Sequence, residues 1–260
     1  MAQADRVPVV PATGDGLREV AARFRVGEVV AATHLVIAID GPAAAGKSTV
    51  ASRLANQIDA LFLDTGVIYR ALTLAALEQG VAPDDAAALA RLAAVLPLRV
   101  TAPTVDDGRQ CDVLLGEHDV TTAIRTPDVD RSVSAVSAHP NVRAALLDLQ
   151  REIGRSGRVV MVGRDIGTIV MPDADLKIWL EASIDERARR RALDLERAGK
   201  AHDVDAVRVD LLARDQFDAG RSSAPMIRAA DAIVVETDGL TVEQVVERIR
   251  EYLAESGRDN

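Results

Sequence analysis

The chain has a single cysteine, Cys111, and aromatic residues make up only 2% of its 260 residues. One cysteine excludes an intramolecular disulfide framework and a metal site built from several cysteines. The four histidines, at positions 34, 118, 139 and 202, are scattered without metal-ligand spacing. So few aromatic rings argue against a surface that stacks the bases of single-stranded nucleic acid. They also mean that the core is built mainly of Ala, Val, Leu and Ile.

Positive charge is in the minority, with 31 Lys and Arg against 40 Asp and Glu and a net charge of −9. This balance argues against nonspecific attraction to nucleic acid or to an anionic membrane. No apolar run reaches the ~18 residues of a membrane span, and the first residues lack the basic and apolar regions of a signal peptide. We therefore expect a cytoplasmic protein with neither nucleic acid nor membrane as a partner. Its length fits one large domain or a core with insertions.

A phosphate-binding motif follows an apolar segment near the start of the chain. Residues 36–40 read VIAID and continue as GPAAAGKST. The two glycines let the loop turn back, so that successive backbone N–H groups converge on phosphate oxygens. In such a loop Lys47 bridges the β- and γ-phosphates of ATP, and the Ser48 hydroxyl ligates Mg²⁺. The predicted ATP-binding residues are Gly41, Pro42, Ala43, Ala44, Ala45, Gly46, Lys47, Ser48 and Thr49.

From residue 34 onward strands alternate with helices, which is typical of a parallel sheet covered on both faces. Two short β-like runs on either side of an Asp-Asp-Gly turn predict a small antiparallel insertion. Residues 1–33 read as a flexible or loosely docked extension, in which 17–24 has the spacing of a short amphipathic helix. The predicted strands are 35–40, 61–64, 98–101, 111–115, 158–162, 176–180 and 232–236. The predicted helices are 47–58, 66–79, 86–95, 126–137, 140–154, 184–198, 203–218 and 241–254.

Two segments place arginine where a parallel strand ends, at the edge at which open α/β sheets bind ligands. The first reads LDTGVIYR and puts Arg70 one helical turn beyond a glycine. The second reads GRDIGT; Arg164 can neutralise a phosphate, and Asp165 can accept hydrogen bonds from an amino group. The alternative readings are a solvated helix residue for Arg70 and a ligand-free salt bridge for Arg164 and Asp165.

Two further segments place arginine along helices. Arg187, Arg190 and Arg191 share one broad helix face by their spacing. Such a face is either solvated, or a mobile lid that closes over the phosphates and balances transition-state charge. Arg214, Asp218 and Arg221 line another face. They suit a ribose phosphate, the alternative being an intrahelical ion pair worth ~0.5 kcal/mol.

Taken in order over about residues 35–255, these segments resemble the bacterial cytidylate kinase family. The resemblance implies a three-layer α/β P-loop kinase fold, with a parallel central sheet, a small antiparallel CMP-binding insertion at 98–120 and a helical lid within 184–221. It also implies a monomer, with a kinase domain at 34–255, that transfers the γ-phosphoryl group of ATP to CMP or dCMP with Mg²⁺. The matching motifs are IDGPAAAGKST at 39–49, LDTGVIYR at 63–70, IRT at 124–126, the S-x-V and V-R pairs at 134–143, GRDIGT at 163–168 and the segment 214–225.

The same resemblance assigns roles to residues. Thr65, Ser134, Arg143 and Asp165 are expected to recognise cytosine, while Arg214 and Asp218 hold the sugar. Arg70, Arg164 and Arg221 are expected to bind the acceptor phosphate, and Arg125 belongs to the substrate-binding set. The catalytic set is Lys47, Arg164, Arg187, Arg190 and Arg191.

One position departs from the family pattern. The family usually has Glu or Asp directly before G-R-D, where a strand-end acid holds Mg²⁺ through water, whereas this chain has Val162. We hypothesise that Asp40 or Asp64 compensates. Two alternatives stay open: a P-loop kinase for another small acceptor such as UMP, AMP or shikimate, and a nucleotide-binding module without turnover.

Overall fold

The computed structural model describes residues 34–197, 199–221 and 223–256. The predicted extension at 1–33 and its helix at 17–24 lie outside them. The described part of the chain forms two compact units. The P-loop unit comprises His34–Asp64 and the residues from Gly157 onward, and the helical unit comprises Thr65–Ser156.

The described residues form eight strands and eight α-helices. The strands are β1 Leu35–Asp40, β2 Leu61–Asp64, β3 Leu98–Thr101, β4 Asp112–Leu115, β5 His118–Asp119, β6 Arg158–Val162, β7 Leu176–Glu181 and β8 Ile233–Glu236. The helices are α1 Lys47–Gln57, α2 Gly66–Glu78, α3 Ala86–Ala94, α4 Pro127–Ala138, α5 Pro140–Gly154, α6 Ile184–Arg197, α7 Val204–Ala219 and α8 Val242–Glu255. A 3₁₀ turn spans Ala123–Arg125 and a π-helical turn spans Ile166–Val170.

The P-loop unit is built on a five-stranded sheet in the order β2-β6-β1-β7-β8. All four strand pairs are parallel. Every residue of the central strand β1 is buried, as expected for a parallel strand covered on both faces. The carboxyl ends of β1, β2 and β6 therefore lie side by side, with Ile39 opposite Val162 and Val162 opposite Asp64. This edge of the sheet carries the phosphate-binding motif.

Helices α1 and α8 pack on one apolar cluster with the sheet. Leu54 of α1 and Ile249 of α8 are fully buried together with Ile37 and Ile39 of β1. Helix α8 begins with a capping box, in which Thr241 and Gln244 satisfy each other's backbone N–H groups. The packing fixes α1 behind the loop that precedes it.

The helical unit contains α2–α5 and a three-stranded antiparallel sheet in the order β3-β4-β5. Its register pairs Leu98 with Leu115. Arg109 ties the sheet together, since its guanidinium pairs with the carboxylates of Asp107, Asp112 and Asp119. The predicted antiparallel insertion is confirmed. Its third strand was not predicted, because two residues are too few to show alternation.

The fold class predicted from sequence, α/β with a parallel central sheet and a small antiparallel sheet, is confirmed. The predicted strands and helices lie within a few residues of the observed ones at both ends. No helix among the described residues combines the length and the apolar character that crossing a bilayer requires.

Candidate active site

The loop from Gly41 to Gly46 has the backbone of an anion cradle. Gly41 has φ 147°, and a Cβ atom there would lie 2.1 Å from the Leu180 carbonyl oxygen, so only glycine fits. Gly46, at the start of α1, has φ 92°, and Ala44 also lies in the left-handed region with φ 58°. Such left-handed positions turn successive N–H groups toward one point. The helix N-terminus adds free N–H groups and a positive dipole end.

Lys47 is held close to this loop. Its Nζ donates to the Pro42 carbonyl oxygen at 2.7 Å. Burial lowers the Lys47 pKa well below its ordinary value, and the neighbouring Arg164 lowers it further, while Asp64, Asp40 and Asp215 act in the opposite direction. The negative charge of a bound polyphosphate would favour the charged form of Lys47.

A cavity of about 510 Å³ opens beside the loop. It is lined by residues 44–50, by α6 through Glu186, Arg189, Arg190 and Arg197, and by the segment around Thr237 and Thr241. This volume lies in the range of small-molecule sites. Glu186 accepts from Arg189 and Arg190, which lowers its pKa to about 2. The cavity therefore combines an anion cradle with arginine side chains, a chemistry that suits a nucleotide.

The side chains of Ser48 and Asp64 are in contact at the N-terminus of α1. The Ser48 hydroxyl donates to Asp64 Oδ2 at 3.0 Å. Asp64 ends β2 directly opposite Val162 of β6, and Val162 is buried in the apolar cluster under α1. The structure thus offers a carboxylate one strand away from the position where the family usually has one.

Asp40, the other candidate for a compensating acid, is engaged elsewhere. Its two carboxylate oxygens accept from the backbone N–H groups of Ile166 at 2.9 Å and Gly167 at 2.7 Å. These bonds hold the π-helical turn that follows Arg164 and Asp165. Of the two compensating acids that we hypothesised, the geometry favours Asp64.

Asp40 also makes stability depend on pH. Burial raises its pKa from 3.8 to about 6, against the opposing effect of the two N–H donors. Because the folded-state pKa is the higher one, the contribution of Asp40 to stability is full below pH 3.8 and is lost as pH rises through about 6. At 1.36 kcal/mol per pKa unit, this loss amounts to about 3 kcal/mol.

Asp40→Asn cannot ionise at this position. We therefore expect its free energy of unfolding, relative to that of wild type, to rise by up to about 3 kcal/mol between pH 4 and pH 7. Urea unfolding of both proteins across this range measures the difference. The exposed Asp84→Asn serves as the control and should show no such trend. A constant difference between Asp40→Asn and wild type would refute the expectation.

Three of the predicted catalytic arginines donate to carbonyl groups of the loop. Arg164 Nη1 donates to Gly41 at 2.7 Å, Arg187 Nη1 to Ala43 at 3.2 Å, and Arg190 Nη1 to Ala45 at 3.3 Å. The accepting residues alternate along the loop. The spacing of these arginines in the sequence did not indicate that all three bind backbone carbonyl groups of the loop.

The three arginines predicted to share one face of α6, Arg187, Arg190 and Arg191, therefore differ in their surroundings. Arg187 is only 7% exposed and forms an ion pair with Asp215. Arg190 reaches the cavity and donates to the Thr237 hydroxyl at 2.9 Å and carbonyl at 2.8 Å. Arg191 is exposed, and the described lining residues of the cavity do not include it. The prediction of one shared arginine surface needs this correction, because the helix turns Arg187 into the protein.

A second arginine group surrounds Asp218, which is 3% exposed. Arg164 Nε lies 3.1 Å from one of its oxygens, and Arg221 pairs with the other. Arg214, although exposed, is near enough to lower the pKa of Arg164, as does Arg221; the largest cause of that lowering is burial. Arg164, Arg214 and Arg221 outnumber the two carboxylates that act on Arg164, those of Asp218 and Asp215, and the excess positive charge suits an anion site. Asp165 is buried at the start of the adjacent turn.

The helical unit holds the other predicted substrate residues. Arg70 Nη1 donates to the Ile124 carbonyl at 3.1 Å and to Asp130 at 2.6 Å. The buried Arg143 guanidinium lies 5.3 Å from the centroid of the Tyr69 ring, in cation–π range. Within this unit Thr65 is the buried N-cap residue of α2, whereas Arg125 and Ser134 are exposed on the 3₁₀ turn and α4.

Sequence reasoning missed Asp215, Thr237, Glu186 and Asp130 as partners of the arginines. An aspartate directly after Arg214 was visible in the sequence, but nothing local indicated that it reaches the loop. Among the described residues no group of three or more His, Cys, Asp or Glu side chains can hold a metal ion.

Comparison with known proteins agrees with this geometry. The cytidylate kinase family model matches residues 37–255. A cytidylate kinase from Chloroflexus aggregans is 53% identical over 210 residues, covering 81% of this chain and 90% of the relative. One from Herpetosiphon aurantiacus is 50% identical over 217 residues, covering 84% and 93%. A bifunctional pantoate ligase/cytidylate kinase from Synechococcus elongatus is 50% identical over 215 residues, covering 82% of this chain and 41% of the longer protein. The chain belongs to the cytidylate kinase family.

Proposed function

We infer that this chain is a cytidylate kinase, which uses ATP to phosphorylate CMP, and we propose dCMP as a second acceptor. The observation that carries the inference is the anion cradle at Gly41–Gly46, with Lys47 and the arginine-lined cavity beside it, in a chain of this family. We further propose a cytoplasmic monomer whose partners are ATP, CMP and dCMP. The net charge of −9 supports small-molecule partners rather than nucleic acid or a membrane surface.

The chemistry is an in-line phosphoryl transfer without a covalent enzyme intermediate. A phosphate oxygen of CMP forms a bond to the γ-phosphorus of ATP, and the bond to the bridging oxygen breaks, giving CDP and ADP. Such reactions are accelerated mainly by positioning and by charge neutralisation. We assign the neutralising role to Lys47 and Arg190, and to the backbone N–H groups of residues 44–49.

For the acceptor, we propose separate roles for the two units. In the P-loop unit, Arg164 and Arg221 bind the CMP phosphate, Arg214 and Asp218 hold the sugar, and Asp165 accepts from the cytosine amino group. In the helical unit, Arg70 binds phosphate, while Thr65, Arg125, Ser134 and Arg143 complete the substrate set. Support comes from the net positive charge around Asp218 and from the buried guanidinium of Arg143.

Mg²⁺ fits the residues present. The Ser48 hydroxyl and the Asp64 carboxylate, 3.0 Å apart, are the hard oxygen donors that Mg²⁺ prefers. We propose that Ser48 ligates the ion and that Asp64 holds it through water. Bound Mg²⁺ neutralises charge on the β- and γ-phosphates.

Asp64→Asn tests this assignment through binding rather than turnover. We expect Mg²⁺ to strengthen ATP binding about tenfold less in the variant than in wild type, since the amide removes one negative charge beside the ion. Calorimetric titration of ATP with and without Mg²⁺ measures the effect. The exposed Asp59→Asn is the matched control. The same Mg²⁺ dependence in Asp64→Asn and wild type would show that another group holds the ion.

The function itself is tested by ADP formation from ATP and Mg²⁺ with CMP, dCMP, UMP, AMP or shikimate, and without acceptor. Turnover with CMP far above UMP and AMP is the expected result. Preference for any other acceptor would establish a sister kinase instead. ATP binding with no turnover on any acceptor would establish a nucleotide-binding module.

A further inference from the structure

Two side chains from outside the phosphate-binding loop form hydrogen bonds with the backbone of Ala43, in the middle of that loop. Asp215 Oδ1 of α7 accepts from the Ala43 backbone N–H at 3.0 Å. Arg187 Nη1 of α6 donates to the Ala43 carbonyl at 3.2 Å. The two side chains also form an ion pair with each other. Both backbone groups of one loop residue are thus held by one ion pair, in which Arg187 is buried and Asp215 is partly buried.

The surroundings make this arrangement rigid. Ala43 is 4% exposed and packs in an apolar cluster with Ala188 of α6 and with Val207 and Leu211 of α7. Arg187 Nε also donates to the Ala182 carbonyl oxygen at 3.1 Å. An ion pair that is largely shielded from solvent and makes further hydrogen bonds holds its geometry far better than an exposed pair does.

The direction of the Ala43 carbonyl decides where the next N–H group points. A trans peptide is planar, with its C=O and N–H on opposite sides. Since the Ala43 carbonyl faces the Arg187 guanidinium, the N–H of Ala44 points away from that guanidinium. Ala44 lines the cavity beside the loop. Holding Ala43 therefore aims a phosphate-binding N–H group before any nucleotide arrives.

The same geometry argues against direct contact between this pair and phosphate. The Asp215 carboxylate beside the Arg187 guanidinium would repel an anion and already neutralises the arginine. The described lining residues of the cavity include neither side chain. The role predicted for Arg187 from its sequence spacing, direct charge neutralisation, is the competing hypothesis.

We propose that Asp215, together with Arg187, is a positioning pair that fixes the loop backbone at Ala43 for binding of the ATP phosphates. The proposal rests on the proposed function only in taking ATP as the loop's ligand. Asp215 acts here without touching substrate.

The decisive variant is Asp215→Asn, which keeps the side-chain shape but removes its charge. We expect ATP to bind about tenfold more weakly, as loss of one charge-assisted hydrogen bond implies, and the KM for CMP to stay near the wild-type value. Amide hydrogen exchange should become faster in the peptide spanning residues 41–49. Asp210→Asn, an exposed aspartate on the same helix, is the matched control and should change neither quantity.

Arg187→Met and the double variant complete the test. If the two residues act as one unit, the double variant binds ATP no more weakly than Arg187→Met alone. Arg187→Lys, which keeps the charge but loses the planar fork, should weaken ATP binding in the same direction even if Asp215→Asn fails to fold.

The competing hypothesis makes the opposite prediction. If Arg187 neutralises phosphate and Asp215 merely restrains it, Asp215→Asn binds ATP at least as tightly as wild type, and Arg187→Met loses kcat alone. That result overturns the proposal while leaving the kinase function intact. Wild-type protein that fails to bind ATP would overturn both.

Discussion

Replacing Lys47 with alanine is expected to lower kcat for CMP phosphorylation about 10³-fold, the upper range for loss of one charge-stabilising donor. The ammonium lies at the start of α1, 2.7 Å from the Pro42 carbonyl, beside the N–H groups that face the phosphates. In the transition state of phosphoryl transfer, negative charge spreads over the oxygens that Lys47 is placed to meet. Because burial depresses its pKa, its charge becomes most favourable when a polyphosphate is bound.

Steady-state rates with saturating ATP and CMP measure this loss, and thermal unfolding checks that the fold is retained. Lys200→Ala removes an exposed lysine from the same chain and should leave kcat unchanged. A Lys47→Ala enzyme within tenfold of wild type would mean that the arginines and Mg²⁺ carry the charge stabilisation alone.

Arg164→Ala is expected to lower kcat/KM for CMP by about 10²–10³, as removal of a donor to a reacting charged group does in other enzymes. Its guanidinium lies between the Gly41 carbonyl and the Asp218 carboxylate, with Arg214 and Arg221 nearby. Removing it leaves Asp218 with its ion pair to Arg221 and lowers the positive charge that we propose for binding the acceptor phosphate.

The informative comparison is between the effect of Arg164→Ala on CMP kinetics and its effect on ATP affinity. We expect ATP affinity, titrated without CMP, to remain close to wild type, because the variant keeps the Lys47 side chain and the loop N–H groups. Arg248→Ala, on the exposed side of α8, is the control. A parallel loss of ATP affinity would show instead that Arg164 acts through its bond to Gly41.

Some of this site is local and was therefore predictable. A loop that binds phosphate does so through consecutive backbone groups, so the glycines of 41–49, Lys47 and Ser48 stand at a fixed spacing that the sequence shows. The capping of α8 by Thr241 likewise involves residues three apart. The end of β6, which Arg164 follows, could be placed at the same edge as the loop after β1, because parallel strands share their direction.

Other parts depend on residues far apart in the chain. Asp215 meets Ala43 across 172 positions, and Asp40 meets Gly167 across 127. No periodicity or spacing encodes such pairs, since they exist only once helices and strands have packed. The sequence showed the loss of an acid at Val162, but only the strand register places Asp64 beside it.

The sequence by itself determined the chemistry of this protein: a phosphate loop, its lysine and hydroxyl, and an ordered set of arginines typical of a cytidylate kinase. The tertiary structure decided what surrounds each arginine. Spacing along a helix gives the direction of a side chain but not what lies there, so Arg187, Arg190 and Arg191 read alike in sequence. Packing buried Arg187 against the partly buried carboxylate of Asp215, placed Arg190 in the wall of the cavity, and left Arg191 exposed. The physical reason is that the cost of burying a guanidinium is offset only by partners that the folded chain brings to it.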